Sequence, residues 1–295
     1  MRKKHVWTAW SVFLVLFLAS ASAGVLAQGE EGLRVEKVTG DVYCLSGGGG
    51  NIGILKAEDG LLVVDASYAR LASSVLEEIG KVSPGRIRIL INTHYHADHT
   101  GGNLALGKDA RVILHENCRT SYLASLKPEE KSEAQVLHLE VYEKEMNLEV
   151  GDENVKLLHF GPGHTAGDTV VVFEKARVVH AGDLFFHGMP PYIDVKDGSD
   201  TKNWIATIET LAKTYPDFKV IPGHGEVTTM KAFLRFAGYL KALRERVAAA
   251  IREGKTREEA QESVDLSDFP DIQDRGEFLT KKENIGWVYD EMTRK

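Results

Sequence analysis

From residue 33 onward the chain is a succession of short apolar runs broken by Gly, Asp and Asn, and the period of each run points to an element. Residues 34–38 and 42–45 alternate about Thr39-Gly40-Asp41, and 51–56 and 61–65 flank Glu58-Asp59-Gly60, so two β-hairpins are predicted. They are joined by Gly47-Gly48-Gly49-Gly50. That stretch lacks the Gly-Lys-Ser/Thr ending and following helix of a phosphate loop, and reads as a hairpin turn or mobile flap. Over 67–80 the pattern turns helical: Leu71, Val75, Leu76 and Ile79 form one stripe, with Ser67 placed to cap it and Gly80 to end it. A strand at 86–92, a short helix at 102–106, a strand at 111–114 and a helix at 116–124 follow. Residues 127–150 are charged and weakly periodic, and read as a surface segment leading to strands. A strand at 155–160 precedes a hairpin of 169–173 and 177–180. Then come a helix at 204–215, a strand at 219–221, a long helix at 229–253, and tail helices at 257–264 and 278–292.

The chemistry sits where these strands stop. The buried-strand pattern of 86–92 runs into His94-Tyr95-His96-Ala97-Asp98-His99, with Gly101 and Gly102 beyond it. Three histidines and an aspartate in six positions, on a tight loop at a strand's C-terminal end, are a metal-ligand pattern. Three more strand ends carry the same signature: His164 in Gly163-His164-Thr165, Asp183 after Gly182, and His224 in Gly223-His224-Gly225. Strand ends on one rim of a fold converge, so the seven residues can surround one point. Seven ligands exceed the needs of one tetrahedral ion and suit two that share a bridge. His94, His96 and His164 are expected to take one metal, Asp98, His99 and His224 the second, with Asp183 bridging. Imidazole nitrogen and carboxylate oxygen suit zinc, with iron or manganese as alternatives. Such a pair generates hydroxide near neutral pH, so no Ser or Cys nucleophile is required, and Asp98 can steer the attacking water or accept its proton.

Other polar residues are read more plainly. Asn103, just after the metal loop, is a candidate carbonyl-binding donor or a helix cap. His187 lies in the apolar, proline-containing stretch 184–192 beyond Asp183, which can wall a substrate pocket. His115, His138, His159 and His180 fall at or within strand-like segments and are taken as structural. Cys44 and Cys118 lack a CxxC context and are read as buried free thiols, although an oxidising compartment would permit pairing.

Composition changes the picture at the N-terminus. Arg2, Lys3 and Lys4 precede an apolar core and small residues, as in a secretory leader over 1–27, with cleavage after Ala23 or Ala27. Export to a bacterial periplasm or the exterior is therefore expected. The remaining 28–295 reads as one domain with a helical tail from about 229, since no linker, charge block or repeat divides it. Losing the leader's bases makes the formal charge of −7 more negative still. An acidic mature chain argues against nucleic acid and anionic membranes as partners and leaves a small-molecule substrate. No stable membrane association is expected after cleavage, and the oligomeric state is left open.

The set His94-x-His96-x-Asp98-His99, Gly163-His164-Thr165, Gly182-Asp183 and Gly223-His224-Gly225, in that order, resembles the metallo-β-lactamase superfamily. The resemblance implies an α/β fold, a four-layer αββα sandwich of two mixed β-sheets with helices on the outer faces and a dimetal site along one edge. It also implies a hydrolase, and the leader and length look like a periplasmic, β-lactamase-like member acting on an amide, lactam or ester-type bond. Asp183 departs from that pattern: secreted lactamases similar in the His94–Asp98 region carry cysteine at the corresponding place. Aspartate looks like the hydrolases with a bridging carboxylate, such as glyoxalase II-like thioesterases. Iron-dependent sulfur dioxygenases share the scaffold. The oxygen-reducing diiron branch has glutamate in place of His96. A non-catalytic metal-binding protein would retain the same ligands.

Overall fold

A computed structural model describes residues 32–294. The expected leader and its two cleavage points lie outside the described residues. A seven-stranded mixed sheet runs in chain order: β1 (Arg34–Thr39), β2 (Val42–Ser46), β3 (Ile52–Ala57), β4 (Gly60–Val64), β5 (Ile87–Ile91), β6 (Arg111–His115) and β7 (His138–Tyr142). The first four pair antiparallel, and β4 to β7 are parallel. The second sheet contains β8 (Glu145–Val150), β9 (Glu153–Leu158), β10 (Val170–Phe173), β11 (Val178–Phe186), β12 (Lys219–His224) and β13 (Thr228–Thr229). Its order is β13-β12-β11-β10-β9-β8, with only β11 and β12 parallel.

The side-chain period of two explains why the central strands are continuously apolar. Leu62 and Val64 of β4 face a core between the sheets, while Leu61 and Val63 face helices outside. In β10, Val171 and Phe173 point inward and Val170 and Val172 outward. The first sheet's outer face is covered by α1 (Ala72–Val82), α2 (Ala97–Thr100), α3 (Asn103–Leu106), α4 (Glu116–Ser125) and α5 (Pro128–Glu133). Val75, Ile79, Leu106 and Cys118 fill the space beneath. The second sheet is covered by α6 (Thr201–Thr214), α7 (Met230–Arg252), α8 (Arg257–Ser263) and α9 (Lys281–Thr293), through Trp204, Ile208, Phe233, Leu240, Ala260 and Val288. This is the four-layer αββα arrangement with three apolar cores. Among the described residues no helix is long and apolar enough to cross a membrane.

Four local expectations change. The helix expected over 67–80 begins at Ala72 after a 3₁₀ turn and continues to Val82. Ser67 does not cap it: the residue sits at φ 57° and donates its hydroxyl to the Gly48 carbonyl, tying down the glycine segment. The surface segment 127–150 contains α5, β7 and β8, because the half-buried edge strands β7 and β8 show a weaker alternation. Finally β11 does not stop before Gly182 but runs to Phe186 with every residue buried, so Asp183 lies within a strand. Cys44 belongs to the core between the sheets and Cys118 to the core outside the first sheet; both are free.

Candidate metal centre

All seven strand-end residues come together on one rim. In β11 the register against β12 shifts on both sides of Gly182, which takes φ 51°. That bulge re-aims the next side chain, Asp183, out of the ladder. His94, His96, Asp98 and His99 stand on the loop from β5 and on α2, His164 on the loop before β10, and His224 at the end of β12.

Asp183 addresses two groups with separate oxygens. Its Oδ2 lies 3.6 Å from His94 Nε2 and 3.5 Å from His164 Nε2. Its Oδ1 lies 3.1 Å from His99 Nε2 and 3.4 Å from His224 Nε2. His96 Nδ1 closes the first group at 3.1 Å from His94 Nε2 and 3.0 Å from His164 Nε2. Asp98 Oδ2 closes the second at 3.2 Å from His224 Nε2 and 3.6 Å from His99 Nε2. The ligand atoms in each group lie within 4.8 Å of one another.

The opposite ring nitrogens are fixed by acceptors, which sets each tautomer. His164 Nδ1 donates to the Tyr192 carbonyl at 2.8 Å, His96 Nε2 to Asp194 at 2.9 Å, and His99 Nδ1 to Asp65 at 2.8 Å. Thr93 passes its hydroxyl proton to Asp65 at 2.7 Å, so its oxygen accepts from His94 Nδ1 at 3.1 Å. With metal bound, and His99 deprotonated as a ligand must be, each of these four imidazoles would turn its unprotonated nitrogen inward. Among the described residues, the buried side-chain atoms left without a hydrogen-bond partner are His99 Nε2 and Asp183 Oδ1. Orphaned donor atoms facing each other in a nitrogen–oxygen cage fit divalent cations, and the donor types suit zinc.

The electrostatics divide the two groups. Burial holds His94 well below the usual imidazole range and, against the pull of Asp183, brings His164 down to about 3. These are neutral ligands in waiting. Burial also opposes charge on His99 and His224, but Asp183 and Asp98 outweigh it, holding His99 well above its usual range and raising His224 to about 9. Burial would raise the Asp98 carboxyl, yet His99 and His224 bring it down to about 2. Asp183 is likewise held low by His224, His99 and His94 despite burial. Without metal the second group is a buried ion cluster, and a cation there would displace its protons.

The pattern of strand-end ligands did not reveal their supports. Asp65 accepts from Thr93 N, Thr93 Oγ1 and His99 Nδ1, and is fully buried. It ends the run 61–65, so the strand-end rule that found the ligands could have found it too. Asp194, which also accepts from the Tyr95 hydroxyl at 2.6 Å and the Asp197 amide at 3.2 Å, has no such signal. Asp168 accepts from Thr165 Oγ1 at 2.7 Å and from the amides of Thr165 and Gly163, folding the His164 loop. Asn51 donates to the carbonyls of Pro222 and Gly225, at 2.9 and 2.8 Å, and so ties the glycine segment to the His224 turn.

Two expected substrate contacts are not placed for that role. Asn103 is fully buried and exchanges amide hydrogen bonds with Asn92 at 2.9 and 3.0 Å, which holds its amide in the interior and away from a ligand; the cap position is Gly102. His187 bonds the Glu226 carbonyl at 2.9 Å, and its amide donates to the His224 carbonyl, so it braces the His224 turn. Within 184–192, Leu184, Phe185 and Phe186 are buried in β11, and Tyr192 is the residue that reaches the centre, its ring 5.5 Å from that of His96. Of the histidines taken as structural, His180 bonds the Asn51 carbonyl across the sandwich, His115 stacks on His159 at 3.7 Å, and His138 is exposed. Beside His96 a cavity of about 570 Å³ is lined by Tyr68, Tyr95, Ala97, Leu104, Tyr122 and Leu126. A larger, more open hollow of about 660 Å³, at 253–263, holds none of the seven ligands.

The family model of the metallo-beta-lactamase superfamily matches residues 45–224, more than half of the chain. A metallo-beta-lactamase type 2 of Bacillus sp. (strain 170) is 28% identical over 190 residues, 64% of this chain and 71% of that protein. Among solved structures, a metallo-beta-lactamase from Pontibacter korlensis aligns with TM-score 0.62 and 19% identity over 71% of this chain and 99% of its own. The inverting sec-alkylsulfatase Pisa1 from Pseudomonas sp. aligns with TM-score 0.71 and 15% identity over 88% of this chain and 50% of its own.

Proposed function

The chain belongs to the metallo-beta-lactamase superfamily of metal-dependent hydrolases, and from that premise we propose that it is an exported dinuclear zinc enzyme cleaving an amide, lactam or ester-type bond in a small molecule. The observation that carries this reading is the division of Asp183, one oxygen to each ligand group. A single ion would leave half of that arrangement without purpose. Zinc at both groups would lower the pKa of a water and polarise the acceptor oxygen of the substrate. The chain's own groups then have defined tasks. Asp98, ionised at neutral pH beside His99 and His224, would take a proton on the carboxylate oxygen left free by the metal. Asp65, Asp194 and the Tyr192 carbonyl keep the imidazoles from turning. The cavity beside His96 has the size of a small-molecule site and a mostly apolar wall.

The Bacillus relative supports a lactam as substrate. Asp183 supports a second reading, an ester or thioester, because a bridging carboxylate stands where the similar secreted lactamases carry cysteine. Export rests on the leader at 1–27. The test is the metal content of the purified mature protein together with turnover of a chromogenic cephalosporin, a thioester and a phosphodiester. Two zinc ions with lactam turnover support the first reading, and two with thioester turnover alone support the second. A single iron with oxygen consumption would replace both by a dioxygenase. Two bound metals with no turnover across a broad panel would leave a metal-binding protein.

A further inference from the structure

The family match ends at residue 224, yet residues beyond it pack on Tyr192, the ring that adjoins two candidate ligands. Tyr192, whose ring lies 5.5 Å from that of His96 and 6.0 Å from that of His164, packs against Phe278 at 5.3 Å and edge-on to Trp287 at 5.1 Å. Phe278 and Trp287 are 5.2 Å apart, so the three rings form one cluster. Phe278 is 58% exposed, which is far from a core residue. The cluster is not loosely hung. Asn284 of α9 is fully buried, donates to the Pro191 carbonyl at 2.6 Å and accepts from the Tyr239 hydroxyl at 2.8 Å. Ile285 and Val288 on the same helix enter the core of the second sheet. The peptide fixed by Asn284 leads directly into Tyr192, whose carbonyl holds His164 Nδ1. The rings are therefore held in register with two candidate ligands of the first metal group.

We propose that Tyr192, Phe278 and Trp287 form a substrate-binding wall that receives a flat, uncharged group of the substrate next to the bond presented at His96 and His164. The proposal rests on the hydrolase reading for the word substrate, though its test does not depend on turnover. Aromatic rings offer large apolar area and preferred edge and face geometries, and a partly exposed cluster of them bordering a polar centre marks a recognition surface. The neighbouring carboxylate, Asp194, is engaged by His96 and Tyr95, which leaves the rings to select for flat apolar shape.

The zinc-loaded protein is titrated with phenylacetate and with acetate in a calorimeter, so both probes offer the same carboxylate and differ in the ring. Phenylacetate is expected to bind at least about tenfold more tightly, and Phe278→Ala and Trp287→Ala each to reduce that ratio by about threefold or more, as for aromatic contacts of this kind. Zinc content and melting temperature of Phe278→Ala are measured alongside; the residue's exposure makes its removal tolerable to the fold. Equal binding of the two probes, or a ratio that survives both substitutions, overturns the proposal. Loss of the hydrolase reading looks different: no turnover on any ester, amide or lactam while phenylacetate still outbinds acetate.

Discussion

Asp65→Asn is the substitution that tests the support of the metal centre most sharply. The Asp65 carboxylate has no solvent exposure and accepts three hydrogen bonds, from Thr93 N at 2.7 Å, Thr93 Oγ1 at 2.7 Å and His99 Nδ1 at 2.8 Å. Asparagine keeps the shape but offers one acceptor oxygen. If its NH2 faces Thr93 N, one donor meets a donor; if it faces Thr93 Oγ1 and His99, two do. At least one charge-assisted bond is lost in a buried place, which costs about 2–4 kcal/mol with the weakening of the others. For a domain of this size that is a fall in melting temperature of roughly 5–15 °C. The second consequence concerns the metal. With no carboxylate to hold its Nδ1 proton, His99 is free to place a proton on Nε2, the atom facing Asp183 Oδ1. Loss of such an outer partner lowers metal affinity by about 10–100-fold. Chelator competition with zinc reads the affinity and differential scanning fluorimetry the stability. A variant that binds its second zinc within about threefold of the parent and melts within about 2 °C of it would refute the reasoning.

Three further outcomes follow from the same geometry. Gly50→Ala drives a Cβ into the His99 ring, which Asp65 prevents from moving away; a loss of about 1–3 kcal/mol and a zinc stoichiometry reduced by one are expected, in urea melts and metal analysis. Removing metal should destabilise, because the folded state alone assembles the two ligand groups and loses their binding free energy; the melting temperature should climb with free zinc, by an amount equivalent to about 2.7 kcal/mol at a hundredfold excess over Kd, and a zinc-independent melt would count against the centre. Away from the metals, burial and the stacked His159 hold His115 down at about 4 from its usual 6.5. Between those values the unfolded chain binds more protons than the folded one. This contribution is therefore intact above about pH 6.5 and is lost as pH falls toward about 4, so the urea midpoint should drop from pH 7 to pH 5, and less so in His115→Gln.

The order of elements and the identity of the ligands were legible in the chain because both depend on local rules. Alternation of side chains marks a strand, and a histidine or aspartate beside glycine at its end marks a possible ligand. Those rules led from the residues to His94, His96, Asp98, His99, His164, Asp183 and His224, and the resemblance they carried added the sandwich of two sheets. What lay beyond them were the facts that depend on which strands become neighbours. Asp183 reads locally as a loop residue after a strand, yet it belongs to a nine-residue strand bulged at Gly182. Only pairing with β12 creates that bulge, and only the bulge turns the carboxylate toward both groups. Asn103 beside the metal loop looked like a donor for substrate until packing placed it opposite Asn92 in the interior. Asp194 and Asn284 carry no motif, since their partners His96 and Pro191 are 98 and 93 positions away. Sequence determines what a residue can bind; the fold alone determines what lies within reach of it, because hydrogen bonds and ligand cages form over a few ångströms of space regardless of separation along the chain.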